Sequence, residues 1–212
     1  MSDCTERSCI DCGKANCWYP KENEYPAFCV SQNVITDEDK KKALATYDED
    51  DNKKIMAVAA DLEFRSYGRM TRVEEVLDFA KSMGYKKIGV ATCVGLIHEA
   101  NIFAKIARHR GFEVYGLSCK AGEIKKVEVG IDKKCEEVGI TMCNPILQAQ
   151  MLAKKGTEFN VVIGLCVGHD SLFYKYSEAP VTTLVAKDRV LAHNPVGALY
   201  QANAYYKKLL KD

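Results

Sequence analysis

Residues 160–173 read Asn-Val-Val-Ile-Gly-Leu-Cys-Val-Gly-His-Asp-Ser-Leu-Phe. The first half is a β-branched apolar run, which is typical of a strand buried on both faces. Gly168 and Asp170 supply turn residues that let a helix begin immediately afterwards. Cys166 is therefore predicted at the carboxyl end of a central strand, the edge at which parallel α/β sheets bind ligands. A thiol at that edge faces helix amide groups, which favour the thiolate form.

The same pattern, a strand-like run followed by a cysteine, occurs three more times. The pairs are 88–92 with Cys93, 112–118 with Cys119, and 140–142 with Cys143. Because parallel strands end at one edge of a sheet, we expect the four cysteines to share one crevice. Four thiolates would form a closed structural or electron-transfer site, whereas three would leave one metal position open to substrate. The alternative is that each cysteine is a small buried hydrophobic residue.

The alternation of short β-rich runs with helical runs from residue 86 onward predicts a three-layer α/β fold. Its sheet would have four or five mainly parallel strands, in a Rossmann-like or flavodoxin-like arrangement. Two helices are expected between residues 36 and 68, and a capping box at Thr71 starts a third that ends at Gly84. Asn144-Pro145 and Asn194-Pro195 each open a further helix. The second of these helices should extend through Leu199, Tyr205 and Leu209.

Half of the ten cysteines lie in the first 30 residues: Cys4, Cys9, Cys12, Cys17 and Cys29. In a C-x2-C pair two thiolates can face one ion, and further cysteines in a short loop can complete a metal site. The sequence therefore predicts a cysteine-rich metal-binding cap over 1–35, with the α/β domain over 36–212 and its helical lead-in over 36–84, packed as one unit. A tail with scattered thiols is the alternative. Whether these cysteines and those after the strands form one site or two is open.

The composition narrows the classes of function. Thirty Lys and Arg against 29 Asp and Glu leave a formal charge of +1, so no basic field favours nucleic acid. The first residues lack a signal-peptide core, and no apolar run is long enough to span a membrane. We therefore expect a cytoplasmic protein, in which clustered cysteines are more often ligands or catalytic thiols than disulfides. The expected partners are a small-molecule ligand or a redox partner protein, with a homodimer as the usual oligomer.

Charged residues after the last two strands are candidates for binding or catalysis. His169 at the start of a helix can act as a ligand or proton donor, and Asp170 can act there too or merely cap the helix. Lys187 and Arg189 can bind an anionic substrate or balance the charge of thiolates. The alternative is that the run 187–189 is a solvated group of charges. Cys135, in a charged context, is expected to be incidental.

Several long strings in the chain resemble a known family. They are Tyr25-Pro26-Ala27-Phe28-Cys29, Cys143-Asn144-Pro145-Ile146, Gly164 through Phe173, Ala179 through Leu184, and Lys187 through Pro195. Together they resemble the bacterial and archaeal proteins described as a predicted metal-binding family, domain of unknown function 1847. The resemblance covers essentially the whole chain. It implies metal binding and leaves the metal and the activity open.

Two functional hypotheses follow. In the first, Cys93, Cys119, Cys143 and Cys166 hold an iron-sulfur cluster of the 4Fe-4S type, and His169, Lys187 and Arg189 address a small anionic molecule. Cys166 and Asp170 are further candidates for catalysis in that site. In the second, the protein is a non-catalytic zinc protein with a structural, metal-handling or interaction role.

Overall fold

The computed structural model describes residues 6–20 and 24–211, so the predicted ligand Cys4 lies outside the described residues. The chain divides into two compact units, Met1–Ala57 and Val58–Asp212. The predicted boundary between a cap and a main domain at residue 35 stays a prediction.

The first unit contains a short turn of 3-10 helix at Cys9–Asp11 and the helices α1 (Val30–Asn33) and α2 (Asp37–Thr46). The helix α3 (Asn52–Ser66) begins in this unit. Thr36 caps α2 by accepting the backbone N–H of Asp39 at 3.1 Å. The two helices predicted between residues 36 and 68 are confirmed.

Helices and strands alternate in the second unit. The helices are α4 (Arg72–Met83), α5 (Ile97–His109), α6 (Pro145–Lys154), α7 (His169–Tyr176) and α8 (Val196–Tyr200). The strands are β1 (Lys87–Thr92), β2 (Glu113–Ser118), β3 (Phe159–Ile163) and β4 (Val181–Val185). No helix in the described ranges is long and apolar enough to cross a membrane.

The four strands form one parallel sheet in the order β2-β1-β3-β4. Side chains of a strand alternate between the two faces of a sheet, so each face forms its own core. Ile88 and Val90 of β1 pack in one core with α4 and α5. Ala91 and Val162 pack in the other with α6 and α7. The predicted three-layer α/β fold is confirmed.

The strand order places a topological switch point between β1 and β3. From β1 the chain crosses to β2 on one side, and from β2 it returns to β3 on the other side of β1. The loops that leave the carboxyl ends of β1 and β3 therefore run in opposite directions. In open α/β sheets the crevice between two such loops is where ligands bind.

Two predicted elements are wrong. Residues 140–142 do not form a strand of the sheet, because Thr141 makes only an isolated antiparallel bridge to Lys125. The last helix ends at Tyr200, and the following residues form turns with a short 3-10 helix at Lys207–Leu210. No side chain between residues 196 and 211 is buried. A helix without a buried apolar face lacks the packing that stabilises most protein helices, which explains the early end.

Candidate metal centre

Three of the four predicted cysteines meet beyond the carboxyl ends of β1 and β2. Cys119 extends the β1–β2 ladder, because its N–H donates to the carbonyl of Thr92 at 2.8 Å. The N–H of Asn144 donates in turn to the carbonyl of Cys119 at 2.8 Å, and this bond brings Cys143 alongside. Cys93 follows Thr92 directly and starts the loop that leads into α5.

Cys143 reaches this position from a loop, not from the predicted strand. Residues 119–144 form a long excursion between β2 and α6 that contains two 3-10 segments, Lys126–Val129 and Lys133–Val138. The excursion returns to the sheet edge where Asn144 caps α6 by accepting the N–H of Leu147 at 3.0 Å. The Asn-Pro helix start predicted from sequence is therefore what sets the position of Cys143.

The three thiols form a hydrogen-bonded row with Cys119 in the middle. The hydrogen bond with Cys119 is the main cause that lowers the pKa of Cys93 to about 4, with smaller contributions from the N–H of Gly95 and the ammonium of Lys187. Cys119 likewise lowers the pKa of Cys143 to about 5. The two neighbours raise the pKa of Cys119, chiefly Cys143 and then Cys93. At neutral pH the row therefore holds two thiolates on either side of one protonated thiol.

Two of the three sulfurs belong to buried residues, so water screens the charges in the row only weakly. The exposed fraction is 7% for Cys93 and 2% for Cys119. The N–H of Val94 donates to the sulfur of Cys119 at 3.4 Å. Thiolates are the form of cysteine that binds metals. The row thus places potential metal ligands at the carboxyl edge of the sheet, where the sequence predicts a site.

Basic side chains from the loop that follows β4 contact two of the four predicted cysteines. Lys187 Nζ lies 3.4 Å from the sulfur of Cys93. Arg189 Nη2 donates to the sulfur of Cys166 at 3.0 Å. Asp188 between them accepts the N–H of Val190 at 2.9 Å and shapes the turn. Lys187 is therefore half-buried beside the thiol row, whereas Arg189 is exposed beside Cys166, and the binding role of this run stays a prediction.

The two residues predicted at the start of α7 have different surroundings. His169 lies near enough to Cys143 for its charge to lower the pKa of that thiol. Its Nδ1 is buried and has no hydrogen-bond partner among the described residues. Asp170 accepts the N–H groups of Gly168 at 3.0 Å and Ser171 at 2.8 Å. Asp170 therefore caps the start of α7, which is one of the two roles that the sequence leaves open for it.

Two contributors to the site were missed by sequence reasoning. Gln148 of α6 is fully buried, and its Nε2 donates to the carbonyls of Thr92 at 3.1 Å and Leu117 at 2.7 Å. It thereby fixes the strand ends that precede Cys93 and Cys119. The signal was available, because Gln148 is a polar residue within the apolar stripe of α6. Lys120 also contributes: it donates to the carbonyl of Thr141 and lowers the pKa of Cys143.

The lowered pKa of Cys143 leads to a kinetic prediction for the metal-free protein. Cys143 is half-buried, and with a pKa of about 5 it is ionised throughout the range from pH 6 to pH 8. Its alkylation by iodoacetamide should therefore be nearly independent of pH there. An ordinary thiol with a pKa of about 8.5 should speed up roughly tenfold per pH unit. Peptide mass spectrometry with glutathione as the reference thiol measures both rates.

Lys120→Met is the matched variant for this experiment. It removes a cation and a hydrogen-bond donor from Cys143, so the pKa of that thiol rises while the larger effect of Cys119 remains, and the rate at pH 6 should fall below the rate at pH 8. A wild-type rate that climbs tenfold per pH unit from pH 6 would contradict the assignment of a thiolate.

The described cysteines of the first unit gather around a separate pocket. Cys9, Cys12, Cys17 and Cys29 all line this pocket, which has a volume of about 100 Å³. The backbone N–H groups of Ala15 and then Lys14 lower the pKa of Cys12. Across residues 6–20 and 24–211, no three His, Cys, Asp or Glu side chains already stand in metal-coordinating positions. The metal-ligand role of both cysteine groups therefore stays a prediction.

Solved structures that are partly similar include two crystal structures of Dph2 from Pyrococcus horikoshii, one of them with a 4Fe-4S cluster. The identity is 18% in both cases, and the TM-scores are 0.36 and 0.35. The match with the cluster-bearing structure covers 66% of this chain and 33% of that one, so the chain spans about a third of the Dph2 chain.

A curated relative is far more similar. An uncharacterised protein of Methanocaldococcus jannaschii is 43% identical over 204 residues, which cover 96% of this chain and 98% of the relative. The family described as protein of unknown function (DUF1847) matches residues 29–184, a stretch that contains Cys93, Cys119, Cys143 and Cys166. The resemblance read from the sequence is thereby confirmed, and the chain belongs to this family.

Proposed function

We propose that this protein binds an iron-sulfur cluster of the 4Fe-4S type at the carboxyl edge of its sheet, through Cys93, Cys119 and Cys143. The observation that carries the proposal is the hydrogen-bonded row of these three thiols, two of them with a strongly lowered pKa. Cys93 comes from the loop after β1, and Cys119 and Cys143 come from the two ends of the excursion between β2 and α6, so the ligands approach from two connections of the sheet. Cysteine thiolates are the standard ligands of such clusters.

The charges around the row support a metal group over three packed hydrophobic residues. Two adjacent thiolates in a half-buried site repel each other, and here a proton on Cys119 separates them. A metal group would replace that proton and bind all three sulfurs as thiolates. Lys187 and Lys120 then balance part of the added negative charge. Residues that served only packing would have no need for two cations beside them.

Three thiolates leave one metal position of a four-metal cluster open. Arg189 and Lys187 give that side of the crevice a positive charge, and Cys166 lies beside Arg189. We infer that the open position takes a small anionic molecule, which the cluster either transforms or senses. Inorganic phosphate or acetate added to the reduced protein should change the electron paramagnetic resonance spectrum of the cluster, and Arg189→Gln should weaken that response. Spectra that neither anion alters would contradict the anionic ligand.

The deciding measurement is the content of iron and acid-labile sulfide, with an absorption spectrum, in protein purified without oxygen. We expect brown protein with about four iron and four sulfide per chain. Colourless protein with zinc bound at these cysteines and no sulfide would overturn the proposal. It would favour a non-catalytic zinc protein instead.

A further inference from the structure

The first unit carries four cysteines that the proposed function does not use. Cys9 and Cys12 belong to one C-x2-C turn, Cys17 follows five residues later, and Cys29 lies at the start of α1. All four line the same pocket of about 100 Å³. Their convergence is a property of the fold, because Cys29 is separated from Cys17 by eleven residues.

Specific contacts bring the two halves of this loop together. Arg7 lies over the ring of Phe28, with its guanidinium carbon 4.8 Å from the ring centre. Asn16 Nδ2 donates to the carbonyl of Glu24 at 2.8 Å. These contacts tie the segment that carries Cys9, Cys12 and Cys17 to the segment that carries Cys29. The four thiols are therefore held near each other before any ligand binds.

The C-x2-C turn already has the hydrogen bonds that favour a thiolate ligand. The N–H of Cys12 donates to the carbonyl of Cys9 at 3.2 Å and closes the turn. The backbone amides of Lys14 and Ala15, two and three residues further along the chain, interact with the sulfur of Cys12. Ala15 has a φ of +49°, an uncommon conformation for a residue with a side chain. Two amide donors at one sulfur suit a cysteine that acts as a metal ligand.

The described residues of this unit also form no buried interior. No side chain in residues 6–20 and 24–57 is buried. A unit of this size cannot offset the entropy of ordering its chain without a hydrophobic core, unless a metal or a disulfide adds to its stability. The unit therefore needs a stabilising group, and the pocket lined by four thiols is where one fits.

We propose that Cys9, Cys12, Cys17 and Cys29 bind one zinc ion, and that this ion holds the first unit in its fold. Four thiolates complete a closed tetrahedral set, which is the coordination of structural zinc and leaves no position for substrate. This site is independent of the cluster at the sheet edge and stands whether or not that cluster exists.

The test uses the full-length protein loaded with zinc and treated with iodoacetamide under native conditions. Peptide mass spectrometry should show these four cysteines protected from alkylation. Addition of a strong chelator should expose all four. Equal alkylation with and without zinc would overturn the proposal, and so would protection that survives the chelator, since that result indicates disulfides.

Zinc content provides a second measurement, in a Cys119→Ala background that removes the thiol row as a competing site. We expect about one zinc per chain, a loss of at least tenfold with Cys12→Ser or Cys29→Ser, and no change with Cys135→Ser as the matched control. Zinc that persists in the Cys12→Ser and Cys29→Ser proteins would overturn the proposal. Because the wild-type protection map involves no substitution, a variant that fails to fold does not prevent the decision.

Discussion

Cys119→Ala is expected to abolish the iron, the sulfide and the visible absorption of protein purified without oxygen. Cys119 is the middle thiol of the row and the one that contacts both other sulfurs. Its loss leaves Cys93 and Cys143 without the sulfur that joins them, and two thiolates are too few to hold a four-iron cluster. The variant should contain less than about a tenth of the wild-type iron. Iron and sulfide assays on the purified variant measure the loss directly.

The matched control for this prediction is Cys135→Ala. Cys135 lies in the short 3-10 segment Lys133–Val138, in the same excursion as Cys143. The control should retain the full iron content, and far-ultraviolet circular dichroism should show that both variants keep their helices. A Cys119→Ala protein that is folded and still carries a full complement of iron and sulfide would refute the proposed cluster site.

Gly164→Ala is expected to produce the largest loss of stability among single substitutions at the crevice. Gly164 follows β3 with φ of +67°, a left-handed conformation that costs a residue with a side chain about 1–2 kcal/mol. A β-carbon added there would lie 1.9 Å from Cδ1 of Leu96, which is buried at the start of α5. Relief of that overlap requires a shift of packed atoms and costs about 1–3 kcal/mol. The total loss in the free energy of unfolding is therefore about 2–5 kcal/mol.

The variant Gly156→Ala separates the backbone cost from the cost of the overlap with Leu96. Gly156 has the same φ of +67°, but a β-carbon there would meet no atom within 4 Å. This control should lose only the backbone part, about 1–2 kcal/mol. Guanidinium denaturation followed by circular dichroism compares the two midpoints. Equal losses in the two variants would show that Leu96 moves aside without a cost in stability, which would contradict the prediction.

Gly164 also matters for the site, because the loop it begins carries Cys166. The N–H of Gly164 donates to the carbonyl of Val185 at 2.8 Å, which fixes β3 to the strand that precedes Lys187. The same glycine leaves room for the aliphatic part of Lys187, which passes 3.7 Å from the position of a β-carbon. A β-carbon at residue 164 would therefore disturb the packing of Leu96 and make only an ordinary contact with the lysine beside Cys93.

Local patterns were sufficient for most of the elements. The β-branched run at 160–163 is a strand, the capping box at Thr71 starts α4, and Asn144 caps α6. In each case the signal lies within a few residues, since strand propensity and capping bonds are short-range properties. The two wrong predictions concern segments whose structure depends on packing against the rest of the domain. Residues 140–142 resemble a strand but lie outside the sheet, and residues after Tyr200 lack a buried face.

The sequence by itself determined that cysteines follow the strands of a parallel α/β sheet and that a separate group of cysteines precedes it. Both conclusions depend on residue order and on the rule that parallel strands end at one edge. Only the tertiary structure decided that Cys119 joins Cys93 and Cys143, while Cys166 contacts Arg189. It also introduced Gln148, which donates to the carbonyls of Thr92 and Leu117, and Lys120, which acts on Cys143 although it follows Cys119 in the chain. The reason is physical: a hydrogen bond or a pKa shift depends on distances of a few ångströms between loops, and those distances are set by packing of the whole sheet and its helices.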